Sequence, residues 1–226
     1  APAARSAAKG EVIREEDDWS VTVTGRGFRY VYNKETACFD SLVRRGRELL
    51  TRPMQMNIWR APTDNDKGFG NWIAKDWKNQ QLDNLRDSII SPSTTETLPN
   101  GNTKAHAIIA YCTTEGNITT EYEYTILMDG SIDFHATYQP QGNLPPLPCI
   151  GTTFVLPKEL RQLTYFGRGP WDNYPDRHAS TTINLWKSTV DEQYVHYPRP
   201  QDSGNHDDVV FVELTNNKHH GWRIEC

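Results

Sequence analysis

The chain has 226 residues, of which 36% are hydrophobic, 11% aromatic and 23% charged, with a formal net charge of -5 and a mean hydropathy of -0.71. That length suits one large domain burying roughly 70% of its unfolded surface, and no apolar run nears the roughly 20 residues of a membrane helix. Acidic and basic residues are interspersed without the basic stripe of a nucleic-acid binder, so membrane residence and nucleic-acid binding are both set aside.

Residues 1–18 open with Ala-Pro-Ala-Ala-Arg-Ser-Ala-Ala-Lys-Gly and lack the apolar core of a signal peptide. They read as an inter-domain linker, followed by a β-sandwich domain over 19–226. Trp19–Thr24 and Phe28–Asn33 alternate ring or β-branched residues with polar ones around Gly25 and Gly27, which predicts strand, turn, strand. Cys38–Arg45 and Leu49–Leu50 extend this meander across turns at Asn33-Lys34-Glu35 and Gly46. Trp72, Ile73, Asp76, Trp77, Leu82 and Leu85 fall at mixed three-and-four spacing, which predicts one helix over Asn71–Leu85. Its tryptophans fit inward packing better than a sugar platform.

From Thr103 onward strands dominate. Ile118, Thr120, Tyr122, Tyr124, Ile126 and Met128 share one strand face, Asp129-Gly130 is a hairpin signal, and Ile132, Phe134, Ala136 and Tyr138 mark the return. Pro140–Pro148 reads as a connector, with further strands over Ile150–Leu156, Thr181–Thr189 and Val209–Thr215. Gly221–Cys226 is strand-like and ends without turn residues, so the domain is expected to stop before its last strands. A large antiparallel sandwich with one short helix follows.

Cys38, Cys112, Cys149 and Cys226 are far apart and form no Cys-x-x-Cys pair, so a zinc knuckle is disfavoured and buried thiols are expected. Asp64-Asn65-Asp66-Lys67-Gly68 begins like a calcium loop, but Lys75 stands where the bidentate glutamate belongs, and that reading is rejected. His206 with Asp207 and Asp208, or His219 beside His220, read as solvated charge rather than metal ligands. Asn117-Ile118-Thr119 matches a glycosylation sequon, which has meaning only in a eukaryotic secretory host.

Three stretches concentrate arginine, aspartate, asparagine and aromatic rings. They are Asn57–Asp66 (Asn-Ile-Trp-Arg-Ala-Pro-Thr-Asp-Asn-Asp), Tyr165–Arg177 (Tyr-Phe-Gly-Arg-Gly-Pro-Trp-Asp-Asn-Tyr-Pro-Asp-Arg) and Tyr197–Asp208 (Tyr-Pro-Arg-Pro-Gln-Asp-Ser-Gly-Asn-His-Asp-Asp). In the second, Gly167 and Gly169 are expected to take backbone angles closed to other residues while Pro170 and Pro175 fix theirs, giving a rigid loop. Such loops grip sugars or anions, or staple strands through buried arginine–aspartate pairs. Arg60, Arg168, Arg177 and Arg199 are planar forks with Asp64, Asp66 and Asp176 as their expected partners.

Together, in order and spacing, these stretches resemble the C-terminal β-sandwich domain of the large bacterial β-galactosidases of glycoside hydrolase family 2, across nearly the whole chain. The corresponding patterns are Asn-Phe-Trp-Arg-Ala-Pro-x-Asp-Asn-Asp, Gly-Arg-Gly-Pro-x-Glu-Asn-Tyr-Pro-Asp-Arg and Arg-Pro-Gln-Glu-Asn-Gly-Asn. The sequence departs from them at Asp172 and at Asp202-Ser203. The resemblance implies a galactose-mutarotase-like supersandwich, the fifth and last domain of a bacterial parent that hydrolyses terminal β-D-galactosides such as lactose with retention. It also implies a homo-oligomeric parent, cytoplasmic or periplasmic, whose catalytic glutamates, with any Mg and Na, belong to a preceding (β/α)8 barrel. No catalytic residue, cofactor or metal is then expected in this chain, and the family's substrate-contacting tryptophan loop has no counterpart here. The expected partners are the preceding domains. Arg60, Asp64, Asn65, Asp66, Arg168, Trp171, Asn173, Asp176, Arg177, Arg199 and Asn205 are candidates for a substrate cleft or barrel interface. The rival readings are an autonomous carbohydrate-binding module using exposed rings such as Trp171, and a mutarotase-like enzyme drawing on His135, His178 or His196.

Overall fold

The computed structural model describes residues 12–68 and 72–226. The expected linker therefore lies mostly outside the described residues, as does Asn71 at the start of the expected helix. The chain forms two units, one of residues 12–59 with Lys75–Val155, the other of Arg60–Ala74 with Leu156–Cys226. No helix of the described residues is long and apolar enough to cross a membrane.

The first unit opens with β1 (Ile13–Glu16), β2 (Ser20–Gly25), β3 (Phe28–Asn33), β4 (Cys38–Arg44) and β5 (Arg47–Glu48), hydrogen-bonded in that order as one sheet. β1 lies inside the stretch expected to be linker and pairs antiparallel with β2. Alternation puts Val21, Val23, Tyr30 and Tyr32 inward, each at most 3% exposed. A register shift at Val31/Tyr32 leaves Asp40 without a pairing position on β4. It changes the strand's phase, so Phe39 and Leu42, three residues apart, are both buried. The strand expected at Leu49–Leu50 starts earlier, because the Glu48 carboxylate takes the Leu50 N–H at 3.0 Å and draws the chain out of the ladder.

β6 (Arg52–Asn57) pairs with β11 (Gly151–Val155) as a two-stranded ribbon. Between them lie β7 (Arg86–Thr97), β8 (Thr103–Cys112), β9 (Gly116–Ile126) and β10 (Ile132–Gly142), a sheet in the order β10-β9-β8-β7. β9 carries Ile118, Thr120, Tyr122, Tyr124 and Ile126 on its inner face, all at most 3% exposed, as the alternation predicts. β10 continues through Pro140, which pairs with Ile118, so the connector begins later than expected. This is the edge strand of its sheet, where a missing N–H costs no ladder bond.

The two sheets close on each other around aromatic rings. Tyr124 meets Tyr32 and Phe39 edge-on at 5.7 and 5.2 Å. Arg44 and Tyr30 pin the Asp129-Gly130 hairpin by donating to the Gly130 carbonyl at 2.9 and 2.7 Å. Each fully buried Val, Leu, Ile or Phe here contributes about 1.5–3 kcal/mol. Cys38 belongs to this interior, whereas Cys112 and Cys226 are exposed and Cys149 is half-buried. Only one of the four thiols is thus as buried as the sequence suggested, because the other three sit at strand ends or in loops.

Among the described residues the α-helices are α1 (Asp64–Lys67) and α2 (Ile73–Asn79); α2 is a shorter form of the helix expected over Asn71–Leu85, and α1 lies before it. α2 ends in a Schellman cap, with Gln81 left-handed at φ 57°, the Gln81 N–H on the Lys78 carbonyl and the Leu82 N–H on the Trp77 carbonyl at 3.1 Å each. Leu82 and Trp77, both 2% exposed, are the buried pair that accompanies this cap, and the Trp77 indole donates to the Pro146 carbonyl at 2.8 Å. Trp72 is 63% exposed. Residues five apart diverge by roughly 140° around a helix, so the two tryptophans do not share a face.

The second unit is built on β12 (Gln162–Gly169), β13 (Thr182–Thr189), β14 (Phe211–Thr215) and β15 (Gly221–Glu225), in the order β13-β12-β14-β15. Every pairing is antiparallel. The loop expected from Tyr165 therefore begins only after Gly169, since the preceding residues are strand.

Candidate functional site

In the second unit the central motif leaves β12 through a cis peptide at Gly169-Pro170. Neither Gly167 nor Gly169 has a positive φ, which corrects the expectation that they serve unusual backbone angles. They are glycines for want of space. A Cβ on Gly169 would lie 2.3 Å from the Tyr165 hydroxyl and 2.8 Å from the Trp186 indole nitrogen, and one on Gly167 would lie 2.9 Å from the Val209 backbone.

The loop then folds over Asn173, which is fully buried. Its Nδ2 donates to the carbonyls of Arg168 and Trp171, both at 3.0 Å, and its Oδ1 accepts the Asp207 N–H at 2.8 Å. Its own N–H reaches the Asn205 carbonyl at 2.8 Å, and Asn205 Nδ2 returns to the Asn173 carbonyl at 2.7 Å. The Arg168 N–H adds a bond to the Asp207 carbonyl at 3.0 Å. His206 completes the join, with Nδ1 3.1 Å from the Arg168 carbonyl and 3.2 Å from the Tyr165 hydroxyl, and Nε2 2.6 Å from Gln193 Oε1. Burial lowers its pKa.

The first motif enters the unit at Arg60. Its guanidinium meets the Asp66 carboxylate at 2.6 and 3.4 Å, and the same carboxylate accepts the N–H and hydroxyl of Thr63 at 2.7 and 2.8 Å. This is a capping box on α1. Burial of Asp66 favours its neutral form, but the donors from Arg60 and Thr63 outweigh it and hold the carboxyl below the usual range. Asp64 and Gln201 exchange two hydrogen bonds at 3.0 and 3.1 Å, Asn65 donates to Asp176 at 2.7 Å, and Lys67 reaches the Pro200 carbonyl at 3.0 Å. The segment suited by composition to a calcium loop is thus a short helix whose carboxylates serve its own cap and its neighbours.

The remaining charges pair across motifs. Arg168 holds Asp208 through Nε at 2.8 Å and Nη2 at 2.6 Å. Arg177 lies over the Tyr174 ring at 4.5 Å and donates to the Tyr197 hydroxyl at 3.0 Å, which in turn donates to Asp172 at 2.8 Å. The Tyr174 hydroxyl donates to Asp202 at 2.6 Å, and its pKa is raised by burial first and by that carboxylate second. His178 is bound to Asp207 at 2.7 Å. Of the expected arginine partners, Asp66 is realised on Arg60, while Asp64 and Asp176 pair with amides and Arg168 and Arg177 take Asp208 and Asp172.

Ten of the eleven candidate residues belong to this network by side chain or backbone. Arg199 does not: it is exposed and makes no hydrogen bond or ion pair among the described residues. Trp171 joins only through its carbonyl, its ring being 68% exposed. Residues not anticipated are Thr63, Gln201 and Gln193, neutral side chains without a compositional signal, and Tyr174, Tyr197 and His206, whose motif positions were the available clue. Among the histidines weighed for sugar chemistry, His178 is occupied by Asp207, His196 lies edge-on to exposed Tyr194 at 4.7 Å, and His135 is in the first unit.

Comparison with known proteins agrees with this picture. Residues 24–226 match the family model described as beta galactosidase small chain. The chain is 29% identical over 215 residues to a beta-galactosidase of Priestia megaterium, covering 93% of this chain and 20% of that protein. It is 31% identical over 206 residues to the beta-galactosidase of Lactobacillus delbrueckii subsp. bulgaricus, covering 90% and 20%. With the beta-galactosidase of Kluyveromyces lactis it shares 28% identity over 208 residues, covering 86% and 19%. The chain thus spans about a fifth of the length of these relatives. A mainly antiparallel β fold, Arg60–Asp66 of the first motif gathered with the other two motifs in one unit, and a family match over residues 24–226 place this chain in the beta-galactosidase small-chain family.

Proposed function

We propose that this chain is a non-catalytic, C-terminal domain of a β-galactosidase, working with a barrel in the same polypeptide that hydrolyses terminal β-D-galactosides with retention. Its part is to flank the substrate cleft and stiffen it, while the catalytic carboxylates, with any Mg and Na, belong to the barrel. The observation that carries this reading is how the motif carboxylates are employed. Asp66, Asp172, Asp176, Asp202, Asp207 and Asp208 each have an arginine, phenol, amide or imidazole partner within the unit. A retaining glycosidase needs two carboxyl groups roughly 5–5.5 Å apart facing the same bond, one of them protonated; carboxylates committed to cations and caps are suited to shaping loops. The test is hydrolysis of a chromogenic β-galactoside by the chain alone and by the parent polypeptide. The chain is expected to be inactive, and the parent carrying D66N or R60A should lose kcat/KM through misplaced loops while keeping measurable kcat. Turnover by the chain alone overturns the reading.

A second reading, an autonomous carbohydrate-binding module, is favoured by the exposed rings of Trp171 at 68% and Tyr194 at 65%, since such rings stack on sugar faces. Calorimetric titration with galactose and lactose separates the two readings. Submillimolar affinity that is lost in W171A supports the module, and absence of binding supports the docked domain.

A further inference from the structure

In the second unit, the sheet of β13, β12, β14 and β15 turns one face inward, where Leu163 and Tyr165 are buried, and leaves the other exposed. Strand pairing sets Leu185, Phe166, Phe211 and Glu225 in one row across that exposed face, with Lys187, Thr164, Glu213 and Arg223 in the row beside it. Leu185 is 49% exposed, Phe166 37%, and Ile183, on the same face of β13 as Leu185, 51%. The Phe166 and Phe211 rings lie nearly parallel at 6.5 Å. Contiguous apolar side chains on a polar-rimmed surface mark an interaction site. We propose that this face binds its counterpart on a second copy of the chain, sheet against sheet about a twofold axis.

The distribution of charge selects this occupant. β13 has a single charged residue, Lys187, which is exposed and makes no hydrogen bond or ion pair among the described residues. Across the sheet, β14 and β15 present two carboxylates to one guanidinium: Arg223 donates to Glu213 at 2.6 Å and to Glu225 at 2.7 Å, and lies over the Phe211 ring at 3.9 Å. On β12 between them, Arg168 is already neutralised by Asp208. The face is thus positive on its β13 side, apolar in the middle and negative on its β14 and β15 side. A twofold axis running along β12 reverses the strand order, so β13 of each copy lies over β14 of the other. Lys187 then meets the second copy's Glu213, Leu185 meets its Phe211 and the guanidinium stacked there, and Phe166 meets Phe166, the self-complementarity that a twofold interface requires. Packed sheets keep their strands within about 30° of each other, which preserves these meetings. Strands about 4.8 Å apart, with about five residues of each engaged, give a footprint of about 300 Å2 per copy. That falls short of the roughly 800 Å2 per partner of a standard interface, so the pair belongs among weak, reversible dimers.

The experiment is sedimentation equilibrium of the 226-residue chain over a concentration series reaching about 1 mM, where weak interfaces associate. Reducing conditions keep the exposed Cys112 and Cys226 from cross-linking copies. A reversible dimer is expected, weakened about tenfold or more in L185E, which sets a charge in the apolar row. K187E should weaken it about fivefold, since an exposed ion pair is lost twice per dimer, and K187E/E213K should recover most of that loss because the charges are exchanged rather than removed. All three positions are on the exposed face, and circular dichroism checks that each variant is folded. A chain that stays monomeric at the highest concentration overturns the proposal and leaves the face to another domain of the parent polypeptide. A dimer indifferent to L185E, or one no tighter in K187E/E213K than in K187E, overturns it as well.

Discussion

Replacing Asn173 with alanine tests whether the second unit is held together at that residue. The substitution removes three side-chain hydrogen bonds from a fully buried position. The Arg168 carbonyl keeps His206 Nδ1 at 3.1 Å, so the groups that lose a partner are the Asp207 N–H and the Trp171 carbonyl. An orphaned buried group costs about 1–3 kcal/mol, and water can reach the Trp171 carbonyl beneath its exposed ring, so the expected loss is about 3 kcal/mol. In a chain of this size each kcal/mol moves the melting temperature by roughly 2–4 °C, giving a fall of about 6–12 °C. Urea and thermal unfolding followed by tryptophan fluorescence measure it, because Trp171 and Trp186 lie in the same unit. N173D sharpens the test: the shape is kept, but at pH 7 a carboxylate oxygen faces two carbonyls. It should be at least as damaging there and recover in acid, once the carboxyl can donate. If N173A stays within about 0.5 kcal/mol of the parent sequence, a typical surface effect, then Asn173 is not the staple described.

Three other outcomes are expected. G169A should destabilise by about 1–3 kcal/mol through overpacking, since its Cβ meets the Tyr165 hydroxyl and the Trp186 indole; wild-type stability by urea titration would show that the strand yields there. Burial pushes the Cys38 thiol up to about 11, so a thiol reagent at pH 8 should label Cys112 and Cys226 quickly and Cys38 only on unfolding, as mass spectrometry of labelled peptides would reveal. The Asp66 carboxyl is lower in the fold than in the unfolded chain, so its stabilisation is present above an unfolded pKa of about 3.9 and is lost as pH falls through the folded value. D66N should accordingly lose less stability than the parent sequence between pH 6 and pH 3, and equal slopes in acid unfolding would refute that account.

What could be read from the sequence depended on how far each signal reached along the chain. The β9–β10 hairpin was legible because alternation and the Asp129-Gly130 turn are local and agree. β6 was not, since Arg-Pro-Met-Gln-Met-Asn carries little alternation and finds its partner about a hundred residues later at β11. The Tyr165–Gly169 strand was hidden by two glycines that ordinarily mark a loop, whereas here they admit Tyr165, Trp186 and Val209. The three motifs were recognisable as a set, and the structure gathers Arg60–Asp66 with the other two in one unit. Their partners were not recognisable. Arg168 takes Asp208 and Arg177 takes Tyr197 with Asp172, pairings set by how loops fold over Asn173 rather than by proximity in sequence.

The join between the central and third motifs runs through peptide groups: Arg168 to Asp207, Asn173 to Asn205, and the Asn173 and Asn205 amides back onto the main chain. A seam stitched through the backbone is indifferent to most neighbouring side chains. Drift at Asp172, Asp202 and Ser203, where this chain leaves its family's pattern, can therefore retune the half-buried side-chain contacts of the loops while their path stays put. Asn173 and Asn205 are the positions where drift should be rarest, since each stands in for a missing peptide partner.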